Sequence, residues 1–204
     1  MKTYKKENMK KIGIDFDAVL VQSDLILCQI LTEKLGYVVL PERIKAYAIE
    51  ECCPELSSDD VRDVIEKLVC MEYTFQIPQY PGALDFLKWY GKSNEIIIIT
   101  NRIDLEPVEV YLRHHLDKNT FDQIRLFYAK EKGPLARSLG LEYFIEDHLV
   151  NVINLANHGV IPILFRQNWN ENVISKRSNL FDLVHFVNSW EDIYYFVGCE
   201  LFGY

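Results

Sequence analysis

Two aspartates, Asp15 and Asp17, stand one residue apart where the apolar stretch "IGIDFDAVL" (12–20) gives out. Alternate residues of an extended chain share a face, so both carboxylates project the same way and repel each other wherever water is scarce. A second acidic pair, Glu146-Asp147, ends another apolar run, "YFIED" (143–147). Thr100 and Asn101 end a third, and Lys132 heads an amphipathic stretch just before the 143–147 run. A divalent cation turns the repulsion among Asp15, Glu146 and Asp147 into attraction to a common ion. Hard carboxylate oxygens select Mg²⁺, which takes few protein ligands and keeps waters. Asp17 serves such an ion through its backbone carbonyl, which leaves its side chain for proton transfer. One carboxylate then attacks as nucleophile and its neighbour works as general acid and base.

Short β-branched runs supply the strands that would hold these groups: 11–15, 95–100, 123–128, 143–147 and 160–165. Amphipathic stretches at 104–116, 131–140 and 149–159 separate the later ones, and the last two end in Gly, a common helix terminus. Near-continuous apolar strands alternating with helices predict an α/β fold, a doubly wound, Rossmann-like parallel sheet covered on both faces. Such sheets bind ligands beyond the carboxyl ends of their strands, where all the residues above lie. The interval 21–80 has no strong strand. Helical patterns run through 23–36, 41–50 and 57–73, the last with Val61, Val64, Ile65, Leu68 and Val69 on one face. The division expected is a core of 1–20 and 81–204, with a small helical cap of 21–80 inserted after strand one. Beyond 165 the pattern reads as a polar loop (166–179), an edge strand (182–187) and a helix opened by Ser189.

Composition narrows the function. The 204 residues carry a net charge of -8 and are 49% hydrophobic, enough for one well-buried core. No apolar run approaches the roughly 20 residues of a membrane span. The acidic balance argues against a nucleic acid polymer as partner, since phosphate backbones need clustered Lys and Arg. Five cysteines without metal-ligand spacing, the adjacent Cys52 and Cys53 included, read as reduced thiols. The basic lead-in 1–11 is not a secretory signal, so a cytoplasmic location is expected.

The ordered set resembles the haloacid dehalogenase-like (HAD) phosphohydrolase superfamily over residues 11 to 165. "IGIDFDAV" matches its Asp-x-Asp motif, "IIIIT" its strand ending in Thr or Ser, a Lys its third motif, and "YFIEDHLVN", with Asn151, its acidic-pair strand. More narrowly, "FIEDHLVNVINLANHGVIPILF" with "NWNE" and "VNSWEDI" resembles bacterial nucleotidases related to the 5'(3')-deoxyribonucleotidases. The resemblance implies Mg²⁺-dependent hydrolysis of a small phosphorylated metabolite, a nucleotide foremost. It implies that Asp15 forms an aspartyl-phosphate and Asp17 handles the proton. Thr100, the backbone N–H of Asn101 and Lys132 would hold the phosphoryl group. Asp15, Asp17 and Asp147 would hold the metal, with Glu146 acting through water. Lys130 competes for the third motif, and counting back from "SLGLEYFIED" favours Lys132. Ala18 stands where the family commonly has Gly. A positive φ there would cost Ala roughly 1 kcal/mol or more.

Other residues invite a bland reading. His114 and His115 suit a solvated helix face, and His148 a water-facing helix start, with substrate contact as its alternative. Arg102 suits either an anion grip or a salt bridge. Tyr73, Phe75 and Tyr80 suit core packing better than base stacking, and the "RQNWN" stretch an ordinary loop. Rival functions are a sugar-phosphate phosphatase, a polynucleotide end-phosphatase, a dehalogenase, which would leave the metal set without purpose, and a non-catalytic binding module. Oligomeric state stays open, a homodimer included.

Overall fold

The computed structural model describes residues 10–174 and 184–202. Six strands, β1 (Lys11–Ile14), β2 (Glu95–Thr100), β3 (Ile124–Tyr128), β4 (Tyr143–Glu146), β5 (Ile161–Phe165) and β6 (His185–Val187), form one sheet. Its order is β3-β2-β1-β4-β5-β6 and every pairing is parallel. The chain builds outward from β1 in both directions, so the carboxyl tips of β1, β2 and β4 are neighbours at the switch point, where open α/β sheets bind ligands.

β2 shows why the apolar run is continuous. Ile96 and Ile98 pack into the larger core, and Ile97 and Ile99 into a second cluster with Phe144 and Leu155 on the opposite face. Both faces are covered, so alternation with polar residues would strand charge in the interior. At β1, Gly13 lies so close to β4 that a Cβ on it would sit 2.1 Å from the Phe144 ring. That contact fixes the spacing of the two strands that carry the acidic groups.

Helices α1 (Ser23–Leu35), α2 (Ile49–Cys52), α3 (Ser58–Val69) and α4 (Met71–Gln76) follow β1, and α5 (Ala83–Tyr90) leads into β2. The later helices are α6 (Glu106–His115), α7 (Lys118–Phe121), α8 (Lys132–Ser138), α9 (Leu149–Asn157), α10 (Asn168–Ile174) and α11 (Trp190–Val197). α3 and α11 open on reciprocal capping boxes, Ser57 with Asp60 and Ser189 with Asp192, each satisfying amides that the first turn leaves open.

Three expectations change. The 41–50 pattern is a single tight turn, Pro41–Arg43, followed by non-helical chain and the short α2. A stretch this short is helical only where packing holds it, and of residues 41–50 just Ile44 is buried. The 57–73 run breaks at Cys70, whose ψ of 161 is extended, into α3 and α4. Within 166–179, residues 168–174 are the helix α10, not loop. The basic lead-in 1–9 and residues 175–183 lie outside the described residues. All five cysteines are free thiols, and no helix of the described residues is long and apolar enough to cross a membrane.

Candidate active site

Asp15 follows directly on β1, and its N–H donates to the Ile145 carbonyl at 2.9 Å, which ties it to the tip of β4. One carboxylate oxygen accepts the Phe16 N–H at 2.7 Å, and the other meets Lys132 Nζ at 2.7 Å. Lys132, in the first turn of α8, is fully buried. Its ammonium also meets Glu146 Oε2 at 2.7 Å. Glu146 Oε1 accepts the His148 N–H (3.1 Å) and Asn151 Nδ2 (3.2 Å), so both its oxygens are engaged by protein donors. Lys130 is exposed on the far side of the turn. The geometry brings Lys132, not Lys130, to the aspartate.

Asp147 differs from its neighbour. One oxygen accepts Trp169 Nε1 at 2.8 Å, while Asn170 holds its backbone carbonyl at 2.9 Å. Oxygens of Asp15, Glu146 and Asp147 lie within 4.8 Å of one another, and all three residues are buried. Three carboxylates face one ammonium here. Burial, reinforced by the Glu146 charge, pushes the Asp15 carboxyl well above the usual range and does the same to Asp147. Burial alone would lower Lys132, but the charges of Asp15 and Glu146 outweigh it and raise the ammonium above its ordinary value. A surplus of buried negative charge on hard oxygens is the donor chemistry of a divalent cation site, so these residues fit one.

Asp17 lines the same cleft as Asp15 but is held by a different partner. Arg102 grips it through two parallel contacts, Nε to Oδ2 at 2.8 Å and Nη2 to Oδ1 at 2.7 Å. The guanidinium's third nitrogen donates to Thr74 Oγ1 on α4 at 2.5 Å. Its side chain is only 2% exposed, against 31% for Asp17. Thr100 is buried at the tip of β2, with Oγ1 accepting the Arg102 N–H at 3.2 Å, and Asn101 is exposed beside it. Ala18 adopts φ +55, alone among the described non-glycine residues in that region.

Asp15, Asp17, Asn101, Arg102, Asp147 and Trp169 all line one cleft of about 480 Å³, whose far wall comes from α1, α2 and α3. His148, at the head of α9, stacks on Tyr47 with ring centroids 3.6 Å apart, and neither of its ring nitrogens meets the acidic cluster. Tyr73, Phe75 and Tyr80 stay outside the cleft, against Glu33, His114 and Phe165 respectively.

Sequence reasoning undervalued Arg102 and missed Trp169 and Asn170. The "RQNWN" stretch is no ordinary loop: Trp169 and Asn170 fix Asp147, and Gln167 donates to the Ala18 carbonyl at 2.7 Å. The signals available were the "NWNE" stretch within the nucleotidase resemblance and the position of these residues just after a strand end, where polar groups converge in such sheets.

No family model matches the chain, and no curated protein matches it. Solved structures do. A haloacid dehalogenase-like hydrolase from Streptococcus pneumoniae superposes with a TM-score of 0.63 at 13% identity, covering 92% of this chain and 98% of that one. The fold is that of the HAD-like hydrolases. A HAD-superfamily hydrolase of subfamily IA from Geobacter sulfurreducens (TM-score 0.59, 14% identity, 93% and 97% covered) shares it. So does a predicted phosphoglycolate phosphatase from Haemophilus somnus (TM-score 0.62, 16% identity, 93% and 98% covered). In the HAD-like fold the six-stranded sheet and its flanking helices account for nearly the whole length of this chain.

Proposed function

We propose that the protein is a Mg²⁺-dependent phosphatase of small phosphomonoesters that works through an aspartyl-phosphate on Asp15, with nucleoside monophosphates as its leading substrates. The observation that carries this reading is the under-neutralised cluster of Asp15, Glu146, Asp147 and Lys132, opening beside Asp17 into an organic-sized cleft.

Asp15 and Asp147 would hold the cation directly with the Asp17 carbonyl, and Glu146 would act through water, its side chain occupied with Lys132. When bound, Mg²⁺ offsets the negative charge shared by the carboxylates and the phosphoryl group. Phosphoryl oxygens are held by Thr100, the Asn101 N–H and Lys132. An Asp15 oxygen forms a bond to phosphorus as the bond to the leaving oxygen breaks, and Asp17 delivers a proton to that oxygen. Asp17 then takes a proton from water, whose oxygen attacks phosphorus, freeing phosphate and restoring the Asp15 carboxylate. The segment 21–80 acts as the cap that covers the leaving group. A dehalogenase would leave Asp17, Glu146 and Asp147 without purpose, and a non-catalytic module would not need every acidic and basic position filled.

Phosphate release from a panel of deoxy- and ribonucleotides, sugar phosphates and p-nitrophenyl phosphate, with and without Mg²⁺, tests this. Turnover is expected only with the metal. The Asp15→Asn variant should lose roughly a thousandfold or more of it while keeping its fold by circular dichroism. Metal-independent turnover, or undiminished turnover in the variant, removes the mechanism.

A further inference from the structure

The far half of the cleft has a chemical character that the catalytic groups do not require. Leu27 from α1, Ile44, Ile49 from α2 and Ile65 and Leu68 from α3 give it an apolar wall. Ile65 is 47% exposed although it belongs to the apolar face of the 57–73 pattern. That stripe divides: Val61 and Val64 go into the interior, while Ile65, Leu68 and Val69 face the cleft.

Two carboxylates also line the cleft, Asp24 in the first turn of α1 and the exposed Glu50 in α2. No Lys or Arg of the described residues pairs with either. Asp24 Oδ1 is buried without any hydrogen-bond partner, and its burial raises the carboxyl above the ordinary value. A carboxylate in such partly desolvated surroundings weighs heavily on the charge of whatever shares the cleft. Among the described residues that line the cleft, Arg102 alone is cationic, and it is committed to Asp17 and Thr74.

From this arrangement we infer that the cleft selects phosphomonoesters whose leaving group is apolar in body and uncharged or cationic. A second anionic group on the substrate would meet Asp24 and Glu50 with no free cation to receive it. Asp24 is thus a specificity-determining residue. The inference rests on the phosphatase reading for its substrate class, and on the cleft's own residues for its sign. It separates this protein from the activity named for the Haemophilus somnus structure, because phosphoglycolate carries a carboxylate on its leaving group.

The experiment compares kcat/KM for thymidine 5'-phosphate, phosphoethanolamine and phosphoglycolate in Mg²⁺, with p-nitrophenyl phosphate reporting phosphatase activity itself. Thymidine 5'-phosphate and phosphoethanolamine should exceed phosphoglycolate by tenfold or more. In Asp24→Asn the ratio of phosphoethanolamine to phosphoglycolate should fall on the order of tenfold, as one unit charge is removed from a partly desolvated site. Phosphoglycolate turned over as well as the other two, or an unchanged ratio in the variant, overturns the inference. Failure to hydrolyse even p-nitrophenyl phosphate sinks the phosphatase reading instead. Calorimetric titration of the same three compounds with Mg²⁺ then decides the inference on its own: the same order of affinity supports it, and tighter phosphoglycolate or no binding at all overturns it.

Discussion

The two ends of the cleft are built by opposite rules. At the sheet end, Asp15, Lys132, Glu146 and Asp147 are buried polar groups held by bonds that cross between β1, β4, α8 and α9, each side chain with a named partner. At the helical end, the wall is apolar and partly exposed, and Asp24 keeps an oxygen with no partner. A preorganised polar centre suits chemistry common to many substrates, since its donors need not reorganise as charge moves. An apolar wall that carries negative charge suits recognition, since it sorts the molecules that enter by their own charge. Arg102 bridges the two, with one face on Asp17 and its third nitrogen on Thr74 of α4.

The largest expected effect comes from breaking the sheet end. Lys132 is the sole cation in contact with Asp15 and Glu146 among the described residues, and it has no exposed surface. Lys132→Met keeps its length and removes its charge, leaving three neighbouring carboxylates uncompensated. Removing one partner of a buried ion pair costs about 3–5 kcal/mol. In a chain of this size that lowers the melting temperature by on the order of 10 °C. Added Mg²⁺ should restore part of the loss, because a ligand that binds only the folded form stabilises it. A melting temperature equal to that of the parent would show the cluster to be less desolvated than its geometry implies.

Arg102→Lys tests the bridge. The substitution keeps a positive charge but gives up the fork that meets both oxygens of Asp17. Those two contacts suit an ionised carboxylate, so Asp17 must release at least one of them to carry a proton. As a positioning residue, Arg102 should change the chemical step more than binding: kcat falls roughly tenfold with KM nearly constant. An equal change in KM alone would place Arg102 in substrate binding and dissolve the distinction between the two ends.

The same contrast explains what could be read in the sequence. The sheet end is written in strand-terminal residues, since period-two patterning puts Asp15 and Asp17 on one tip and a continuous apolar run delivers Glu146-Asp147 to the next. The strands expected at 95–100 and 123–128, the latter observed over 124–128, and the sheet's doubly wound class follow from the same pattern. What supports that end was not legible, because Trp169 reaches Asp147 across 22 positions, and no local rule pairs an indole with a carboxylate. The helical end is weaker still. The face of α3 reads as one apolar stripe, yet its outer half lines the cleft, and periodicity cannot tell a core from a ligand wall. The break at Cys70 has no Gly or Pro to announce it, so one pattern became two helices.

The smallest expected effect lies at the joint between the ends, where the chain leaves Asp17 for α1. Ala18 holds φ +55, a conformation in which Cβ crowds the backbone at a cost of about 1 kcal/mol or more. The turn is pinned regardless: the Leu20 N–H and Val21 N–H both donate to the Phe16 carbonyl, and Gln167 donates to the Ala18 carbonyl. Ala18→Gly removes the crowding but enlarges the freedom of the unfolded chain, which returns part of the gain. The net expectation is a stabilisation of roughly 0.5 kcal/mol, one or two degrees in the melting curve. A loss of stability would mean that the buried Ala18 methyl packs at the mouth of the cleft more profitably than its backbone is strained. The methyl would then belong to the apolar recognition wall, and the boundary between the two ends would move one turn closer to Asp17.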